Sequence, residues 1–152
     1  MTVIRDLLSY RLHVVANLIS RSAELRYRRE FGVSLWEWRS IALLGGAAEP
    51  LSLNELARAA GIHKSQMSRV VSGLARRRLV LRAADSRDGR CVRLALGKAG
   101  LRVYRELIRA AGERDAVFIN CLSGKERQAF DSALAKLAGQ ARSVIQREKG
   151  AA

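Results

Sequence analysis

Ser65, Arg69, Ser72 and Arg76 recur every three or four residues, opposite the apolar set Met67, Val70, Val71 and Leu74. At 100° per residue the apolar set forms one stripe of a helix over 64–78. The hydroxyls and guanidiniums project furthest from that stripe, with Gln66 and Ser68 on its flanks. Such groups suit the base-pair edges of a major groove, where each pair displays its own donor and acceptor pattern. Small side chains keep the backbone near a duplex, and a helix N-terminus favours phosphate. Further on, Arg87 and Arg90 stand beside Gly89 in a polar turn. Guanidiniums on a tight hairpin suit a narrow minor groove.

No catalytic chemistry stands beside this. There is no Ser-His-Asp order, no phosphate-cradling glycine loop and no acid pair in a supported pocket. His13 and His63, with Cys91 and Cys121, offer no metal-ligand spacing and too few thiols for a disulfide scaffold. We therefore expect no enzyme, no metal and no cofactor. His63 reads as a cap-like or phosphate-contacting residue, and the two thiols as buried or incidental rather than redox sensors.

The elements that must position these residues are legible. Ile4, Leu7, Leu8, Leu12, Val15 and Ile19 predict a helix over about 3–30, apolar enough to want a second packing partner such as another subunit. Gly32 stops it. Ser34–Glu37, Ser52–Glu55 and Ser123–Glu126 are capping boxes, opening helices over about 35–44, 53–60 and 124–148. Each cap contributes only about 1 kcal/mol, so they fix boundaries more than stability. Gly61 breaks the third helix before the 64–78 helix. Two short strands, 79–82 and 91–96, flank the turn 85–90, and a long helix runs over about 98–120.

The charge follows the same layout. The chain has 152 residues, 28 Lys or Arg against 14 Asp or Glu, for a net +14. Ten basic and three acidic residues fall within 50–97, so half the excess sits in under a third of the length. A polyanionic partner is implied. A chain 49% hydrophobic builds a core and is not a basic tail. No apolar run approaches about 18 residues and no secretory leader opens the chain, so a cytoplasmic protein without a membrane partner is expected. The polar face over 64–78 taken alone fits an ordinary solvated face equally well; the hairpin and the local charge decide for DNA contact.

Helix, glycine turn, second helix with a polar outer face, then hairpin is the order of a winged helix-turn-helix. Residues 52–100 resemble the DNA-binding lobe of the MarR family, the multiple-antibiotic-resistance regulators. The resemblance rests on Leu56-Ala57, Gly61-Ile62, Lys64-Ser65, Ser68-Arg69, Leu79-Val80, Arg82, Asp88-Gly89-Arg90 and Leu96-Gly97-Lys98-Ala99-Gly100. Trp38-Arg39 and the Gly32 break extend it, so that it covers about 8–145. It implies a mainly α fold with a small β-wing. The winged lobe would span 34–97, and helices in 1–33 and 98–152 would form a homodimer. It further implies that His63, Lys64, Ser65, Gln66, Ser68, Arg69, Ser72 and Arg76 face double-stranded DNA, with Arg87 and Arg90 as wing contacts and Asp88 orienting an arginine. His63 and Gly97 depart from the pattern, where the family usually has a capping Ser and a Thr.

The resemblance also implies a repressor on a pseudo-palindromic operator, released by a small ligand between the dimerisation helices and the winged lobe. A constitutive architectural DNA-binding protein is the alternative. His13, Asn17 and Arg21 share one face of the first helix, which fits a polar seam in a dimer interface or one wall of a pocket. With Trp36 and Trp38, and with Tyr10 and Arg11 as further candidates, a pocket of this make-up suits an aromatic carboxylate.

Overall fold

The computed structural model describes residues 3–84 and 92–150. It divides into two compact units, Met1–Ala111 and Gly112–Ala152. In the first unit a short 3₁₀ turn, Ile4–Asp6, precedes α1 (Leu8–Phe31). The periodic run from residue 3 is therefore not one helix, because Leu7 is extended at φ −67°, ψ 133° between the two. There follow α2 (Leu35–Gly46), β1 (Leu51–Ser52), α3 (Leu53–Ala60), α4 (Lys64–Arg76), β2 (Val80–Ala84) and β3 (Val92–Leu96). α5 (Lys98–Ile119) runs on from this unit into the second, which also holds α6 (Gly124–Gly150).

The expected capping boxes of α2 and α3 form with both hydrogen bonds. The Ser34 hydroxyl accepts from the Glu37 amide and the Ser34 amide donates to the Glu37 carboxylate, with Ser52 and Glu55 repeating the pattern. Helix ends recur as a motif too. At Gly32, Gly61 and Arg78 the chain turns left-handed, with φ 63°, 71° and 55°. After α4, Arg78 N–H donates to Ala75 O and Leu79 N–H to Leu74 O, the double bond of a Schellman turn. The expected helix over 64–78 therefore ends at Arg76, and Arg78 already belongs to the turn into β2.

β2 and β3 pair antiparallel, with Val80 opposite Leu96 and Ala84 opposite Val92. The outer edge of β3 takes β1, which no periodicity announced, through Leu51 opposite Leu94 and Ser52 opposite Arg93. The core gathers Ile41 and Leu44 of α2, Leu56 of α3, Met67, Val71 and Leu74 of α4, Leu94 of β3 and Leu107 of α5, all buried. Ser40 is a fully buried polar residue in it. Its hydroxyl donates to Trp36 O at 2.8 Å and lies 3.3 Å from Met67 Sδ, tying α2 to α4.

Two glycines show why α5 starts where it does. A Cβ at Gly97 would lie 3.1 Å from the Arg78 carbonyl oxygen, and one at Gly100 would run into the Leu79 carbonyl. The departure at Gly97 is thus a matter of space as well as a weakened cap. In α1 only the C-terminal half is covered, through Ala23 and Tyr27, while Leu8, Leu12, Val15 and Leu18 remain exposed. In the second unit the Ser123–Glu126 capping box forms as expected. α6 buries none of its residues and leaves Phe130, Leu134, Val144 and Ile145 exposed.

Candidate nucleic-acid interface

The α3–turn–α4 pair is positioned from behind. Met67, Val71 and Leu74 fix one side of α4 in the core, and Val70 packs against it. Among the described residues the opposite side is largely open to solvent. His63, Lys64, Ser65, Gln66, Arg69 and Arg76 are exposed, and Ser68 and Ser72 are half-buried. The apolar spacing thus places the polar side chains on one open face. His63 stands at the N-cap of α4 with extended backbone, but its side chain makes no cap hydrogen bond. The expected cap role is therefore absent, and its imidazole stays at the open N-terminal end of the helix.

The basic residues near the other end of α4 divide. Arg77 Nη1 pairs with Glu37 Oε1 at 3.2 Å, while the same carboxylate accepts from the Ser34 amide. One carboxylate thus joins the start of α2 to the end of α4, and Arg77 is a bracing residue in this structure. The sequence carries no sign of this contact, whose partners lie 40 residues apart. Arg82 of β2 donates to the Ser72 hydroxyl at 2.9 Å. Arg93 of β3 pairs with Glu55 at 3.0 Å. Glu55 is held below the ordinary glutamate range first by the Ser52 backbone amide, then by the Ser52 hydroxyl, with the Arg93 charge adding to it. The wing residues Arg87, Asp88 and Arg90, and Cys91, lie outside the described residues.

The seven candidate ligand residues do not share one cavity. Tyr10 and Arg11 line an open concavity of about 360 Å³ with Arg5, Val14 and Val15. Asn17 Nδ2 lies 2.8 Å from His13 Nε2, both exposed, and Arg21 is exposed one turn further on. Trp36 is half-buried under the Arg39 guanidinium, 4.8 Å from its ring centroid. Trp38 packs on Tyr27 at 5.0 Å, and lines a second concavity of about 310 Å³ with Arg39, Ala42, Leu43, Ala59 and Ala60. Arg39, which sequence reasoning passed over as a ligand contact, sits at the mouth of an apolar hollow and also donates to Ser20 Oγ at 3.1 Å.

Among the described residues no group of three His, Cys, Asp or Glu could hold a metal ion. Cys121 is exposed, with its sulfur 2.8 Å from Phe118 O. No described helix is long and apolar enough to cross a membrane.

Residues 31–90 match the model of the MarR family. Among solved structures, the Staphylococcus aureus MepR–DNA complex is similar at TM-score 0.80 and 18% identity, over 88% of this chain and 98% of that one. A MarR/EmrR family transcriptional regulator from Acinetobacter is similar at TM-score 0.81 and 23% identity, over 89% and 94%. A MarR family transcriptional regulator from Silicibacter pomeroyi is similar at 0.79 and 24%, over 91% and 98%. At such identities the likeness is one of fold. No curated protein matches the chain.

Proposed function

We propose, from a chain whose residues 31–90 match the MarR family model and which folds as a winged helix, that this protein is a sequence-specific DNA-binding transcription regulator. The observation that carries the reading is the open polar face of α4, anchored behind by Met67, Val71 and Leu74. Lys64, Ser65, Gln66, Ser68 and Arg69 enter a major groove from its N-terminal half. Arg69 reads a base edge, since a guanidinium pairs bidentately with guanine. His63 and Lys64 meet phosphate at the helix N-terminus. Arg76 positions on the backbone, and Arg87 and Arg90 on the wing reach the adjacent minor groove, with Asp88 orienting one of them. A solved structural relative, MepR, has been captured with DNA.

The active species is a homodimer. Leu8, Leu12, Val15 and Leu18 of α1, and Phe130, Leu134 and Ile145 of α6, are too many large apolar side chains to leave in water. Two-fold symmetry then sets two half-sites about one helical turn apart on a pseudo-palindrome. The regulator acts as a repressor, and an aromatic carboxylate releases it. Trp38, Leu43 and Ala59 offer the apolar floor for such a ring, and Arg39 the carboxylate partner. Release requires that the acid bind the non-binding arrangement better, since equal affinity shifts nothing.

Competition binding tests this. Duplex from upstream of the protein's own gene should outcompete scrambled duplex by about a thousand-fold or more at physiological salt. Equal competition by both would refute sequence-specific regulation and leave an architectural DNA-binding protein.

A further inference from the structure

The β2–β3 hairpin leaves the body as an arm. Val80 of β2 is buried while residues 81–84 are exposed. Between the arm and α4 lies a cleft of about 160 Å³, lined by Leu53, Ser68, Val71, Arg82, Val92 and Leu94. Val71 and Leu94, both buried in the core, lie at its base. β2 is the outer strand of the order β1-β3-β2, so β3 supports it on one edge alone. β1 and the core hold β3 as far as Leu94 and Arg93, so beyond Val80 it is the β2 side of the hairpin that lacks support from the body, and a hairpin supported on one strand alone is only marginally fixed. Arg82 spans the cleft. It lies opposite Leu94, two residues before the last described pair, Ala84 with Val92. Its Nη2 donates to the Ser72 hydroxyl on α4 at 2.9 Å.

We infer that Arg82 is a positioning residue that sets the wing at a fixed distance from the DNA-reading helix, with Ser72 as its anchor. The inference rests on the reading of this chain as a DNA-binding regulator. It changes the part given to Ser72, whose hydroxyl is engaged by the wing strand as acceptor. A strut of this kind raises affinity without touching DNA, because a strand fixed before binding has less freedom to lose. Removing either end releases β2 from α4 while Lys64, Ser65, Gln66, Ser68 and Arg69 keep their places on α4.

The test uses the full chain on its own upstream duplex, with affinity and two footprints read together. Hydroxyl-radical cleavage reports the minor groove beneath the wing, and guanine N7 methylation reports the major groove. Arg82→Ala and Ser72→Ala should each lose about five-fold in affinity, the size of one exposed hydrogen bond. Each should lose flanking minor-groove protection while N7 protection persists. The double variant should be no worse than either single one, since both remove the same bond. Ser72→Thr keeps the hydroxyl and should behave as the unaltered chain. Additive losses, equal loss from both grooves, or Ser72→Thr matching Ser72→Ala would overturn the inference. An unaltered chain that protects neither groove overturns the DNA-binding reading itself. Protection by that chain with no change in Arg82→Ala overturns only the strut.

Discussion

Replacing Arg78 with glycine should stabilise the fold. Arg78 occupies the left-handed position of the Schellman turn after α4, at φ 55°, where Gly32 and Gly61 serve α1 and α3. An L-residue there costs about 1–2 kcal/mol through contact between its Cβ and the following carbonyl. Glycine removes that contact but gives back roughly 0.5–1 kcal/mol through its freer unfolded chain. The net gain is about 0.5–1 kcal/mol, or about 1–4 °C in Tm for a chain of this size. Arg78 is exposed, so no buried packing is lost. Urea unfolding at one fixed protomer concentration measures the change, with the slope m expected constant. Arg78→Ala separates backbone from charge: it removes the same positive charge but keeps the Cβ, and should bring little of the gain. Gly61→Ala is the converse. No atom stands within 4 Å of a Cβ built there, so its cost is conformational alone, about 1 kcal/mol. A gain from Arg78→Ala equal to that from Arg78→Gly, or a fall in stability with glycine, would refute the reasoning.

Three further outcomes are expected. Arg69→Ala should cost about 1–3 kcal/mol of affinity for the cognate duplex and relax preference at one base position, measured by titration against single-base variants; a uniform loss on all sequences would make Arg69 a phosphate contact. Leu18→Asp, at a residue 64% exposed on α1, should shift the proposed dimer towards monomer in sedimentation at micromolar concentration, and an unchanged mass would remove α1 from the interface. Because the Ser52 amide and hydroxyl depress the Glu55 carboxyl, its contribution is complete above the unfolded-state value and is lost as pH falls through the folded one. Glu55→Gln should therefore flatten part of the acid limb in a series of unfolding midpoints against pH, and parallel limbs would show that the cap does not titrate with folding.

Local signals told most of the helical layout. Ser34, Ser52 and Ser123 each sit three residues before a glutamate, and all three caps form as their spacing requires. The period of Met67, Val70, Val71 and Leu74 was enough to orient α4, because burying three of these residues and packing the fourth against the core leaves the polar ones no other side. What the chain did not disclose depends on residues far apart. β1 is two residues long and exists because β3 has a free edge at Leu94 and Arg93. The Glu37–Arg77 pair spans 40 residues, and it makes Arg77 a brace between α2 and α4. Arg78 shows the opposite limit. Gly32 and Gly61 announce a left-handed turn by residue type, whereas an arginine in that conformation carries no such mark. The seven ligand candidates were grouped by chemical type, and the structure spreads them over α1, α2 and two separate hollows.

The most direct measurement of the proposed regulator is a footprint of the full chain on the DNA upstream of its own gene, at physiological salt. Two patches of major-groove protection should appear, centred about 10 base pairs apart and related by two-fold symmetry. Their strength should fall steeply as salt rises, since the contacts on phosphate release counterions. Uniform protection along any duplex, or a single unpaired patch, would contradict a dimer that reads an operator through α4.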